Sequence, residues 1–202
     1  YDAVCINNPV SIIDTKLPEK VLNKTAKNYI YVGLIKEEKG IFRFLNVYDK
    51  FSKNHNINLK IIGKPLTIKD KLKLKSCLKN NSSIEYLGYK DHKYIDNEIK
   101  KSDFSVVPSY YLENYPTTVL EGILGGNVVI ASNRGGTAEI LDDGRGLIFD
   151  ILDENSIYNV LEKSYNLTED EYNNICKKAF EYVLNNNSYD TYYEKIMKII
   201  DN

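Results

Sequence analysis

Short apolar runs alternate with longer amphipathic stretches along most of the chain. Residues 29–33 (YIYVG) read as a strand. Residues 40–54 follow as a helix with Phe44, Val47, Tyr48 and Phe51 on one face. The pattern then repeats. Strands are expected at 59–63 (LKIIG), 84–87, 104–107, 128–131 and 146–149. Helices are expected at 69–79, 91–101, 116–124, 153–165, from 168 to about 184, and 189–200. Asp91 stands where an N-cap belongs, and Thr168 with Glu171 three residues on fits a capping box. The first 27 residues fit the pattern less well. Residues 4–6 offer a strand, but Pro9, Pro18 and several Asn residues follow, so this stretch reads as a hinge or linker.

Strands alternating with helices predict an α/β fold: a doubly wound parallel sheet with helices on both faces, closed by C-terminal helices. In such sheets ligands bind beyond the carboxyl ends of the strands, near the switch in strand order. The chemistry is therefore sought in the loops at 34–39, 64–66, 88–90, 108–115 and 132–136.

The 108–122 stretch (PSYYLENYPTTVLEG) is the most informative. Pro116 suits the first helical position, where its missing N–H costs nothing. Thr117 and Thr118 then offer backbone N–H groups at a helix start, where the dipole favours an anion such as phosphate. Glu121 lies about one turn further in and Glu113 just before the helix, so two carboxylates flank a candidate phosphate site. As an alternative, Glu113 is a loop charge and Glu121 a solvated helix residue. The 33–40 loop joins Gly33 to Lys39 and Gly40. Lys39 is placed to put a cation on a phosphate, or is an ordinary exposed lysine. Gly135 and Gly136 suit a tight turn before a helix. The G-x-G-x-x-G fingerprint, the P-loop and the G-x-S-x-G elbow are all absent.

Composition narrows the classes. With 27 Lys and Arg against 28 Asp and Glu, net charge −1, the basic excess of a nucleic-acid binder is missing. No apolar run approaches the ~20 residues of a membrane helix. Cys5, Cys77 and Cys176 are dispersed, which fits reduced thiols in a cytosolic compartment. Two histidines, His55 and His92, make a His-based metal site improbable. The Asn-rich composition produces sequons at Asn23, Asn81 and Asn166, and these are set aside. The chain opens at Tyr1, which suggests a piece of a longer protein.

Several segments in order, YVGLIKEEKG, LKIIG, IEYLGY, SDFSVVPS, ENYPTTVLEG, NVVIASNRGGTAEIL and DDGRGLIFD, resemble the C-terminal half of retaining glycosyltransferases of family four, which have the two-domain B-type fold. The resemblance runs from about Tyr29 to Ile200. Glu113 and Glu121 meet the family's E-x7-E pattern. The resemblance implies a hinge or linker at 1–27, a nucleotide-sugar-binding domain at 28–186, and a last helix at 187–202 that packs toward an N-terminal acceptor domain. It implies that Glu121 binds the ribose hydroxyls, Glu113 the donor sugar, and Lys39 the departing diphosphate. It further implies that backbone amides of Thr117 and Thr118, beside Tyr115 and Pro116, hold the same phosphates, and that Gly33, Gly63, Lys64 and Tyr89 line the nucleotide.

No obligatory cofactor or metal is implied. The resemblance implies a nucleotide diphosphate sugar as donor, a UDP-sugar favoured over a GDP-sugar. It implies a glycan, lipid or protein acceptor presented by the other domain, at a cytoplasmic site or the cytosolic face of a membrane. One position departs from the pattern: the family usually has Arg directly after the first strand's Gly, and here Leu34 stands there. Lys36, Arg43 and Arg134 are candidates to compensate. The alternatives are another B-type enzyme such as an epimerase or phosphorylase-like protein, a degenerate module that binds a partner, and a generic Rossmann-like sensor.

Overall fold

A computed structural model of the chain describes residues 6–79 and 81–201. Six strands, β1 (Lys27–Val32), β2 (Ile57–Ile62), β3 (Ile84–Gly88), β4 (Phe104–Val107), β5 (Val128–Ser132) and β6 (Leu147–Phe149), form one parallel sheet in the order β3-β2-β1-β4-β5-β6. The helices are α1 (Ile41–Ser52), α2 (Ile68–Leu78), α3 (His92–Lys101), α4 (Thr117–Leu124), α5 (Gly136–Leu141), α6 (Glu154–Asn166), α7 (Glu169–Asn186) and α8 (Tyr189–Ile200). The expected doubly wound α/β architecture is present, and every expected element within the described residues has its ends within two positions of the reading. Val4 and Cys5 lie outside the described residues. Ile6, the last of the expected 4–6 strand, is irregular.

The two faces of the sheet bury separate sets of side chains, as a sheet covered on both sides requires. On one face Tyr29 stacks on Phe104 at 4.9 Å between centroids, and Phe44, Tyr48, Phe51 and Phe149 pack around them. On the other, Val119, Leu120 and Ile123 of α4 meet Val129, Ala131, Phe180 and Val183. Every residue of β4 and β5 is buried. The caps hold as the sequence suggests: Asp91 accepts the Tyr94 N–H, and Thr168 with Glu171 closes a full capping box.

Residues 6–26 carry neither helix nor strand, yet they lie packed on the domain. Leu22 is buried in the core. The Lys20 ammonium donates to the carbonyls of Ile99 (3.1 Å) and Ser102 (2.7 Å) and to Asn127 Oδ1, so it caps the end of α3. Burial lowers the Lys20 pKa to about 8, against the opposing pull of Asp103. At the other end of the strap, the Val10 N–H donates to the Asn187 carbonyl (2.9 Å), just before α8.

Candidate functional site

Strand order reverses between β1 and β4: the chain runs outward through β2 and β3, then crosses to the far side of β1. The loops leaving these two strands meet. Glu38 C=O accepts the N–H groups of Tyr110 (3.0 Å) and Tyr111 (3.1 Å). Gly40 makes this approach possible. Its φ is +67°, and a Cβ there would stand 1.7 Å from the Pro108 carbonyl oxygen. On the other flank, Gly136 N–H donates to Glu113 C=O at 2.7 Å, and a Cβ on Gly136 would lie 1.9 Å from Asn114 O. The segment carrying Glu113 is thus held between two backbone contacts that only glycine tolerates.

The Lys39 ammonium lies 2.6 Å from Glu113 Oε1, although the two residues are 74 positions apart. Ser109, itself buried, donates its hydroxyl to the same carboxylate oxygen. Burial pushes the Glu113 pKa up, but Lys39 and Ser109 outweigh it and hold the carboxyl below its ordinary value. An open cleft of about 720 Å³ lies beside this pair, lined by Asn8 and residues 110–116, which include Tyr115 and Pro116.

The helix starts one residue later than expected: Pro116 occupies the N-cap in extended backbone, Thr117 takes the first helical position, and no side chain caps α4. Val119 N–H donates to Pro116 C=O (3.1 Å), which leaves the Thr117 and Thr118 amides at the uncapped start as the ones open to an anion. Thr117 is exposed, Thr118 half-buried. Thr118 and Glu121 line a narrow crevice with Val32 and Val107, the last residues of β1 and β4. The Glu121 carboxylate accepts no hydrogen bond among the described residues. Burial raises its pKa, the nearby His92 ring opposing and Asp96 adding to the rise.

The remaining sequence candidates divide. Gly33 and Gly63 touch, with Gly33 N–H donating to Ile62 C=O (3.0 Å) and Gly63 N–H to Gly88 C=O (2.9 Å). Lys64 is exposed and lines a separate groove beside α2. Tyr89 is 79% exposed and outside that groove. Tyr115 is buried, and its hydroxyl is committed to Asn187 (3.3 Å) at the end of α7, so it is no free donor to the cleft.

Leu34 is 46% exposed beside the Lys39 loop. Of the three compensating candidates, Lys36 stands 4.0 Å from Glu38, while Arg43 and Arg134 both approach the Tyr110 ring, at 5.3 and 5.7 Å. Ser109 and Asn8 escaped the sequence reading. A buried serine has no periodic signal, and Asn8 reaches the site only because the strap folds back to donate its amide to Tyr115 C=O (3.1 Å). Among the described residues no cluster of three or more His, Cys, Asp or Glu is arranged to hold a metal.

Residues 13–182 match the family model described as glycosyl transferases group 1. The chain belongs to this family. Among solved structures, this glycosyl transferase domain superposes on a glycosyltransferase from Rickettsia africae with a TM-score of 0.79 at 20% identity, covering 88% of this chain and 48% of that one. An α,α-trehalose-phosphate synthase (UDP-forming) from Burkholderia xenovorans gives 0.77 at 13% identity, covering 88% and 44%. The E. coli trehalose-6-phosphate structure bound with UDP-2-fluoro glucose gives 0.73 at 15% identity, covering 88% and 44%. These likenesses establish the fold, the Rossmann-like half of a B-type transferase. The chain spans less than half the length of the solved proteins it matches. No curated protein matches it.

Proposed function

We propose that this domain binds the donor of a retaining, metal-independent glycosyltransferase, a nucleoside diphosphate sugar. The observation that carries the reading is the Lys39–Glu113 pair, set beside the uncapped start of α4 at the strand-order switch. The diphosphate lies between Lys39 and the amides of Thr117 and Thr118. When the bond from sugar to diphosphate breaks, negative charge grows on the leaving oxygen, and a fixed cation and a helix start stabilise it without reorganisation. Glu121, a carboxylate with open acceptor capacity at the crevice, takes the ribose hydroxyls. Glu113, released from Lys39 as the phosphates arrive, takes hydroxyls of the sugar. Gly33 and Gly63 border the nucleotide, and the exposed Lys64 and Tyr89 lie on the adjoining loops toward its base.

A UDP-sugar is the favoured donor, in keeping with the UDP-forming and UDP-sugar-bound structures that share the fold. The acceptor, a glycan, lipid or protein, is presented by a second domain. α8, which buries none of its residues, turns toward that domain. The whole enzyme works in the cytosol or on the cytosolic face of a membrane. No helix among the described residues is long and apolar enough to cross one.

A thermal-shift series with UDP, GDP, ADP and TDP, with and without EDTA, tests the reading. A ligand at a hundred times its Kd adds about 2.7 kcal/mol, a shift of roughly 5–10 °C for a domain of this size. One diphosphate stabilising wild type but not Glu121→Ala, indifferent to EDTA, supports it. Equal shifts in both proteins, or none in the folded chain, contradict it. A second reading, a degenerate module that has kept the fold without transfer, is favoured by Leu34, where an arginine would supply another phosphate cation.

A further inference from the structure

We propose that the outer face of α2 docks on an anionic lipid surface. Residues 64–79 carry six lysines and a single acid, Asp70, in a chain whose net charge is −1. That acid is spent inside the helix cap. Its carboxylate accepts from Thr67 N–H (3.0 Å) and the Thr67 hydroxyl, while Thr67 Oγ1 accepts from Asp70 N–H. Lys73 is paired with Glu37 at 2.6 Å. Among the described residues, Lys69, Lys71 and Lys75 have no ion-pair partner. All three are exposed.

The lysines surround apolar groups that point outward. Ile68 is 80% and Leu72 63% exposed, and as positions i and i+4 they share one face of the helix. Leu74 alone of the helix's leucines turns fully into the core. Leu66, also exposed, and Tyr86 continue the apolar surface along a groove of about 570 Å³ shared with Lys71 and Lys75. A polyanion such as RNA would satisfy the lysines but leave Ile68 and Leu72 in water. A bilayer of acidic phospholipid satisfies both: the lysines stay at the headgroups while the aliphatic side chains enter the acyl boundary.

Flotation of the chain with phosphatidylcholine vesicles, with and without about one third phosphatidylglycerol, tests this. Wild type is expected to float with the anionic vesicles only, and to be released by high salt. The triple variant Lys69→Gln, Lys71→Gln, Lys75→Gln is expected to lose affinity on the order of a hundredfold, at about fivefold per lysine. Ile68→Ser with Leu72→Ser is expected to lose roughly tenfold. Replacing Lys163, Lys177 and Lys178 by Gln, on α6 and α7, is expected to change little. Unchanged melting temperatures show that all variants are folded. No flotation by wild type, or equal loss from the control triple, overturns the proposal. So does binding of an RNA homopolymer that needs the α2 lysines while the apolar variant floats as wild type does.

Discussion

Lys39 and Glu113 form an ion pair of 2.6 Å between the loops that leave β1 and β4. The residue proposed to meet the diphosphate here neutralises the residue proposed to meet the sugar. On the proposed reading, donor binding exchanges this ion pair for one between Lys39 and the diphosphate, and for hydrogen bonds from sugar hydroxyls to Glu113.

This pair carries a pH signature. The Glu113 carboxyl titrates below its ordinary value in the fold. The stabilisation is therefore complete above the unfolded value near 4.3 and is lost as pH falls through the depressed folded value. Glu113→Gln is expected to lower the melting temperature at pH 7 by about 1–4 °C, for a partly exposed pair contributing up to about 1 kcal/mol. The gap to wild type should close as acid protonates Glu113. A gap independent of pH would mean that packing, not charge, is lost.

Gly40 is the pivot of the site. Gly40→Ala sets a methyl against the Pro108 carbonyl in a left-handed backbone. A loss of at least about 2 kcal/mol is expected in denaturant titration, with weaker nucleotide binding as the 108–116 loop moves. An unchanged midpoint would mean that the loops do not touch in solution.

Asn187 holds the strap to the domain. Its buried side chain donates to Asn8 C=O (2.9 Å) and Tyr115 Oη (3.2 Å). Asn187→Ala leaves these groups unpaired, at a cost of about 1–3 kcal/mol. Limited proteolysis near residues 6–12 should accelerate relative to wild type. Equal cleavage rates would detach the strap from this contact.

Leu34→Arg restores a cation beside Lys39. If the diphosphate lies there, affinity should rise about fivefold, for roughly 1 kcal/mol from one exposed charge-assisted contact. Uridine, without phosphates, should bind as before. An equal gain for uridine would place the new side chain elsewhere.

The alternation of apolar strands and amphipathic helices was legible in the sequence because both periods are local, and so were the caps at Asp91 and Thr168. Thr67 and Asp70 form a box as complete as that of Thr168, and T-x-x-D was its signal, yet the Lys-rich run after it drew the expected helix start to Lys69. Lys39, Glu113 and Glu121 were each legible as candidates from their place after strands or in a helix start. That Lys39 and Glu113 touch was not, because the contact depends on two loops meeting at Gly40. The strap was hidden for the same reason: Lys20 finds its partners 79 to 107 residues away, two of them backbone carbonyls that leave no mark on composition.

The measurement that tests the central claim most directly is isothermal titration of the chain with a nucleoside, its monophosphate and its diphosphate, repeated for Lys39→Met. The account predicts that wild type binds the diphosphate at least about tenfold more tightly than the nucleoside, the equivalent of 1.4 kcal/mol. Lys39→Met should erase most of that difference while leaving nucleoside affinity in place. Equal affinity for all three ligands in wild type, or a preference that survives Lys39→Met intact, would contradict a diphosphate site at the β1–β4 switch.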